Sequence, residues 1–464
     1  MDIVNGITSL IRPAFSLDVS MIEPSEELIP KSSLGIKVSS ARLKRPMFLT
    51  SHVWMDERRQ TDGAEGFWRI HDGLYDFTNF INQHPGGSDW LKLTKGTDIS
   101  EAFETHHISE IPEKLIEKYF VKKAATKRNV PFTFKDDGFY RVLKREARKK
   151  LKDIPQSGYL ISDFYSDLLL VGTLVFSSLA VRYSSFLFIT VAGVMLSLLT
   201  IAAHNYIHRR DNFRMYYFQF SMFSVRDWRI SHVLSHHLYT NTIIDLEISQ
   251  AEPLLSYMPI KKFIGGYISV LLSPVIWCMA FPGYYLRRVL LSPLCNYESV
   301  AFTDLTYLIL PAFMALTGGG TITQTLIIYA LIMVMGSFVF TLIGLHAAHH
   351  HPDVFHDGDT PRAVENYDWG LSQLDAVMER KEIKGSDFLV LVSFGDHCMH
   401  HMFPTLDHSV LKHLYPTFEK VLKQFNENVR IVSQADAFYG GFQQLMKVEP
   451  NPSPPDLHKN KMFL

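Results

Sequence analysis

The sequence predicts a small soluble domain followed by an all-α polytopic membrane domain, with four spans, an interfacial helix and a cytosolic metal-binding cap. Three observations predict it. Hydrophobic residues make up 47% and aromatics 13% of the 464 residues, high for a soluble chain that also carries 20% charge, so polar and apolar segments must be unevenly distributed. The apolar residues gather in paired runs separated by short turns. Thirteen of the 21 histidines lie between positions 204 and 401, where those runs end and in the polar stretches between them.

Residues 1–60 mix Ser, Pro, Lys and Glu without periodicity and are expected to form a flexible lead. The opening MDIVNGITSL has neither the basic-then-apolar pattern of a secretory leader nor a Gly after Met1 for myristoylation, so insertion is expected to rely on internal segments. Residues 61–125 read as a compact, polar, aromatic-rich domain. Residues 126–160 read as a linker carrying the basic helical run RVLKREARKK, Arg141 to Lys150. Ahead of an apolar segment, that run is expected to lie against anionic lipid head groups.

The membrane domain is expected over 161–440. Phe164–Val181 and Phe186–Ala203 are each near the lower limit for crossing a hydrocarbon core of about 30 Å. Leu305–Leu316 and Thr323–Leu345 make a second pair around TGGGT; the first contains Pro311, so its start is expected nearer Val300. A fifth stretch, Phe263–Tyr285, is interrupted by Gly265, Gly266, Pro274, Pro282 and Gly283 and has basic residues on both flanks. That pattern suits an interfacial helix better than a span. Four crossings put the histidines after Ala203 and after Leu345 on one face. The turns at 182–185 and 317–321 carry only Arg182, so they read as non-cytosolic, with both termini and the histidines cytosolic. Residues 441–464 read as a Pro-rich tail.

A net charge of −1 offers no basic field for nucleic acid. Three cysteines, Cys278, Cys295 and Cys398, include no CxxC and cannot build a disulfide framework, which suits a reducing environment.

The stretch from Trp68 contains YDFTNFINQHPGG, then Gly96, Asp98 and EAF ahead of a histidine pair. These features resemble a cytochrome b5 domain, which implies a small α+β fold holding heme b between two axial histidines. HPGG supplies His84. Pro85, Gly86 and Gly87 leave room for a porphyrin edge. The second ligand is His106 or His107; in desaturase-fused versions it stands four residues after the Phe of AF, which selects His107. Bis-histidine ligation leaves no open position, so this iron is expected to carry electrons.

The other histidines fall into four groups. HNYIH places His204 and His208 at i, i+4, on one helix face. HVLSHH supplies His232, His236 and His237, the first two sharing a face and the third about 100° round. HAAHHHPDVFH follows the fourth span and HCMHH supplies His397, His400 and His401. That many imidazoles on one face can satisfy two first-row metals, and a set without carboxylates or thiolates suits iron or zinc. Cys398, between ligands, reads as filler.

HxxxH, HxxxHH and HxxHH, in order between paired spans, resemble the boxes of membrane fatty acid desaturases, and an N-terminal cytochrome b5 domain is the front-end desaturase layout. Over roughly residues 65–440 the whole most closely resembles the cytochrome b5-related protein family. The resemblance implies two non-heme Fe ions on His204, His208, His232, His236, His237, His349, His397, His400 and His401, with His346 or His350 as alternatives to His349, and no catalytic residue beyond the metal ligands. It implies an O2-dependent fatty acyl desaturase in the endoplasmic reticulum membrane, acting on a lipid or fatty acyl substrate. Electrons would come from NADH through a cytochrome b5 reductase. Asn205 stands where many relatives carry Asp, and His397 where front-end desaturases carry Gln, which leaves a lipid hydroxylase or a membrane-tethered electron carrier as alternative activities.

Overall fold

The computed structural model describes residues 30–39, 49–154, 158–249, 252, 254–291, 301–363, 367–457 and 461–462. The opening MDIVNGITSL, Cys295 and Val300 lie outside the described residues.

The lead contains a helix, α1, Ser51–Thr61, begun by the Thr50 hydroxyl, which accepts from the Val53 N–H. Its Trp54 and Met55 are buried. Trp54 Nε1 donates to the Ile244 carbonyl at 2.8 Å and Arg58 donates to the Tyr239 hydroxyl at 3.0 Å. Further upstream, the Ser32 hydroxyl and the Ser33 N–H donate to Asp357. The expected flexible lead is therefore partly structured, because it carries apolar anchors and donors for the second domain.

The small domain is α+β. Strands β1 (Trp68–Ile70), β2 (Gly73–Tyr75) and β3 (Phe120–Lys123) form an antiparallel sheet in that order. Helices α2 (Ser88–Thr94) and α3 (Ser100–His106) pack beside it. Trp68, Ile70, Phe77, Leu91, Ile99 and Phe103 make its core, an apolar set drawn from β1, α2, α3 and the segments between them.

The basic run forms α4, Phe139–Leu151. Phe139, Tyr140, Leu143 and Ala147 recur on one face and are buried. The cations were expected at lipid head groups. Three of them instead meet the small domain: Arg141 and Lys144 pair with Glu104, Lys144 also with Glu113 at 3.5 Å, and Arg148 with Glu110 at 2.6 Å. Lys144 is only 3% exposed. Acidic groups on the adjoining domain claim these charges before any bilayer can.

Among the described residues, three helices are long and apolar enough to cross a membrane, Leu160–Tyr183, Phe186–Ile207 and Ile322–Gly344; we label them α5, α6 and α8. The fourth expected span is the shorter apolar helix Phe302–Gly318, which opens as a 3-10 turn and becomes α-helical as α7, Ile309–Gly318. Pro311 falls in the first turn of α7, where its missing N–H leaves no gap. Helices α6 and α8 meet at Gly193 and Gly336: a Cβ added at Gly193 would lie 2.7 Å from the Met335 Cβ, the close approach that small residues permit. The broken stretch is three short helices, Ile264–Leu271, Ser273–Trp277 and Ala280–Leu291.

Above these helices lies a buried cap. It includes a second sheet, in which β4 (Met378–Arg380) pairs parallel with β5 (Val429–Val432), and β5 antiparallel with β6 (Lys461–Met462). The tail thus contributes a strand, and helix α10, Gln434–Met446, runs into its start. The remaining cap helix relevant to function is α9, His397–Met402.

Candidate functional site

His204 lies in the last turn of α6 and His208 is its C-cap. Residues Arg229–His236 form a π-helix, and His237 follows directly. His349 lies in the loop after α8, while α9 carries His397, His400 and His401. The ring nitrogens of His204, His208, His232, His237 and His400 lie within 4.8 Å of one another, and those of His236, His349, His397 and His401 form a second such group. All nine are buried.

The π-helix decides which histidine joins which group. Helical spacing predicted that His232 and His236 share a face with His237 apart. Hydrogen bonding from i to i+5 widens the turn and brings positions five apart together, so His232 and His237 meet with their Nε2 atoms 3.0 Å apart. His236 turns to the other group, with its ring 4.4 Å from that of His349.

The outward nitrogens of six rings are tied down. Nδ1 of His204, His349 and His397 bonds the carbonyls of Ile201, Ala376 and Phe394 at 3.0–3.1 Å. Nδ1 of His401 is 2.9 Å from Gln373 Oε1. His232 and His236 are held by carboxylates, Glu247 at 2.8 Å and Asp245 at 2.9 Å. Facing inward, His349 Nε2 and His397 Nε2 converge to 2.6 Å. Both nitrogens of His208 and His400, Nε2 of His204 and His401, and Nδ1 of His237 are buried with no hydrogen-bond partner among the described residues. Each such orphan costs roughly 1–3 kcal/mol unless something accepts its lone pair. Imidazole lone pairs converging in two sets, six of the nine rings oriented from behind, fit a pair of metal ions.

Burial and the neighbouring rings hold His208, His232, His237, His349, His397, His400 and His401 well below the ordinary imidazole value, the neutral form a ligand needs. His236 is the exception. Burial opposes its charge, but Asp245 and Glu247 outweigh that and raise it to about 9. These carboxylates correct the expectation of a carboxylate-free set: Glu247 also groups with His232 and His236. No ligand-like spacing in NTIIDLEIS marks them. Sequence reasoning also missed Gln373 and His408, whose ring stacks 4.8 Å from His400 and whose Nε2 bonds Asn205.

The alternatives to His349 lie elsewhere. His346 packs against Trp277 and Phe438, and His350 stacks on Tyr257 with ring centres 3.6 Å apart. Burial and Glu379 push the Cys398 thiol well above its usual value, so it stays protonated and is a poor ligand.

In the small domain a cavity of about 860 Å³ opens between His84 and His107. Their ring centres are 6.2 Å apart. Two nitrogen–metal bonds of about 2 Å, plus the half-widths of the rings, add to roughly that figure. Nδ1 of His84 bonds the Gly87 carbonyl at 2.9 Å and Nδ1 of His107 the Phe103 carbonyl at 3.0 Å, which leaves Nε2 of each ring for iron. His106 turns toward Trp90. Gly87 has φ 114°, a conformation open to glycine, and a Cβ at Gly86 would sit 2.9 Å from the His84 ring. Phe77, Phe80, Leu91, Ile99 and Phe103 line the cavity, as a porphyrin face requires. The residues present fit a heme.

Part of the cavity wall belongs to the other domain: His208, Arg209, Arg210, Leu234 and Thr405. His208 therefore borders both sites. The domains are further joined by Arg229 over the Trp90 ring at 4.5 Å and by the Tyr239 hydroxyl, which donates to Glu101 at 3.2 Å.

The fatty acid desaturase family model matches residues 183–432, and the cytochrome b5-like heme/steroid binding domain model matches residues 55–125. A cytochrome b5-related protein of Drosophila melanogaster is 41% identical over 92% of this chain and 98% of its own length. One of Drosophila virilis is 48% identical over 30% of this chain and 95% of its own. More distantly, an acyl-lipid (8-3)-desaturase B of Dictyostelium discoideum is 22% identical over 82% of this chain and 90% of its own. No solved structure matches the chain.

Proposed function

Because the chain belongs to the cytochrome b5-related protein family, a cytochrome b5-like domain joined to a fatty acid desaturase domain, we propose that it is an O2-dependent fatty acyl desaturase of the endoplasmic reticulum membrane. His204, His208, His232, His237 and His400 would hold one iron, and His236, His349, His397 and His401 the other. The chemistry a bound iron pair supplies is removal of hydrogen from an unactivated methylene, which no side chain is oxidising enough to do. Asp245 and Glu247 aim His236 and His232 and increase their basicity. The buried cap excludes water from the nine imidazoles.

His84 and His107 would hold heme b with no open position, so this site passes electrons received from an NADH-dependent cytochrome b5 reductase. Fusion keeps that donor at high effective concentration. The segment Phe302–Gly318 is the fourth crossing in this reading, which sets the ends of α6 and α8 on the cytosolic face.

One observation carries the proposal: two convergent sets of buried imidazoles whose inward nitrogens either meet one another or have no hydrogen-bond partner among the described residues. The test compares iron content and lipid profile in cells expressing the wild type, His237→Ala or His84→Ala. His237→Ala should lose iron and the unsaturated product while keeping the heme spectrum; His84→Ala should keep iron and lose heme and product. A hydroxylated acyl chain would assign a hydroxylase. Unchanged lipids in every strain would leave an electron carrier.

A further inference from the structure

The heme cavity has an uneven wall. Its inner part is apolar, while its charged lining residues, Arg209 and Arg210, come from the membrane domain; no Asp or Glu lines it. Heme itself is amphipathic, an apolar ring with two carboxylates on one edge. Once the ring occupies the apolar part, the carboxylates must find the polar part, because an ionised carboxylate left among apolar groups is far more costly than one that is paired.

The two arginines differ in availability. Arg209 is committed: its guanidinium pairs with Asp407 at 3.0 Å and lies over the Tyr206 ring. Arg210 is exposed, and its side chain has no hydrogen bond or ion pair among the described residues. The neighbouring acid is engaged on its other side, where Asp211 pairs with Arg229 at 2.7 Å. This loop is also registered against the small domain. A Cβ at Gly87, three residues after His84, would lie 2.5 Å from Asp211 Oδ2, so the HPGG turn and residues 208–211 touch.

We propose that Arg210 of the membrane domain binds a carboxylate of the heme across the domain boundary, so that the heme site is complete only when the two domains are docked. This rests on the reading of His84 and His107 as heme ligands. A cation at that edge also favours the heme that has gained an electron, so it raises the reduction potential. Arg210 is a cofactor-binding residue supplied by a domain whose own chemistry lies elsewhere.

The test uses the full-length protein in detergent, loaded with heme or with heme whose two carboxylates are methyl esters. Heme loss to a scavenger protein and the midpoint potential are measured for the wild type, Arg210→Gln and Arg210→Lys. With ordinary heme, Arg210→Gln should lose heme about tenfold faster or more, the effect of removing a charge-assisted bond, and should have a lower potential. Arg210→Lys should restore most of both. With the diester, wild type and Arg210→Gln should become equal, as a double-mutant cycle requires. A low-spin bis-histidine spectrum in each variant keeps the heme reading intact. If the wild-type chain takes up no heme, that reading fails and this proposal with it. If heme binds normally but loss and potential ignore Arg210→Gln, or the difference persists undiminished with the diester, the proposal alone is overturned.

Discussion

Replacing Glu104 with Gln should uncouple the heme domain from α4 in a pH-dependent way. Glu104 is 2% exposed and bonds His71 at 2.9 Å, Arg141, and Lys144 at 3.3 Å. Burial alone would raise its carboxyl, but His71, Arg141 and Lys144 outweigh that and hold it at about 2, against 4.5 for a free glutamate. The difference corresponds to roughly 3 kcal/mol of folded-state stabilisation at neutral pH. Because the folded value is depressed, that stabilisation is fully present above about pH 4.5 and is lost as pH falls toward 2. Gln keeps the shape and removes the charge, leaving the nearly buried Lys144 with only Glu113. Denaturant unfolding of the full-length protein, followed at the heme Soret band, should show the variant less stable by about 3 kcal/mol at pH 7. The gap should narrow steadily between pH 4.5 and pH 3. A gap of equal size at pH 7 and pH 3 would show that shape, not charge, makes the contact. A gap under about 0.5 kcal/mol at pH 7, the size of an ordinary surface substitution, would refute the coupling altogether.

Three further outcomes are expected. Asp245→Asn removes an acceptor shared by His236 Nδ1 and the Asn241 N–H, both at 2.9 Å. It should weaken iron retention against a chelator by about 10–100-fold, with the heme spectrum unchanged; full retention would mean that His236 needs no support. Gly193→Ala pushes a methyl to 2.7 Å from Met335 and 3.1 Å from the Gly336 N, so it should destabilise the α6–α8 contact by about 1–3 kcal/mol, read as a lower midpoint of thermal unfolding in detergent. Tags beside Asn212 and Asp357 should both be reached from the cytosol and one beside Gly319 from the lumen. Opposite sides for the first two would mean an odd number of crossings between them and no shared metal site.

That the histidines gather was legible because few other side chains could do a metal ligand's work, and the structure brings nine of them into two buried groups. His204 and His208 lie four apart on an ordinary helix end, so spacing and geometry agree. HVLSHH was read with α-helical spacing, and there the structure departs: a single π-helical stretch, invisible to side-chain pattern, reassigns His236. Asp245, Glu247, Gln373 and His408 were missed for a different reason. Asp245, Glu247 and Gln373 bond the far side of a ring and His408 stacks on one; each need only be near in space, which leaves no trace in spacing. The basic helix α4 shows the limit of composition. Six Lys and Arg ahead of an apolar segment look the same whether lipid or Glu104, Glu110 and Glu113 will face them. Pro311 sits in the first turn of α7, and only the backbone shows that the change from 3-10 to α-helix falls just before it, between Leu308 and Ile309.

The two imidazole groups are interleaved along the chain. His236 and His237 are consecutive yet face different groups, and so do His400 and His401. Successive Cα atoms are about 3.8 Å apart, so two peptide steps act as a ruler between the centres. An ion seated on His237 and His400 would still the same backbone that carries His236 and His401. The conformational freedom lost in ordering that backbone is lost once, and a second ion meets a site already set. Filling should then be all-or-none: stripped protein titrated with ferrous iron should pass from empty to doubly loaded with little singly loaded form between. Two well-separated binding steps would show that each centre arranges its own ligands.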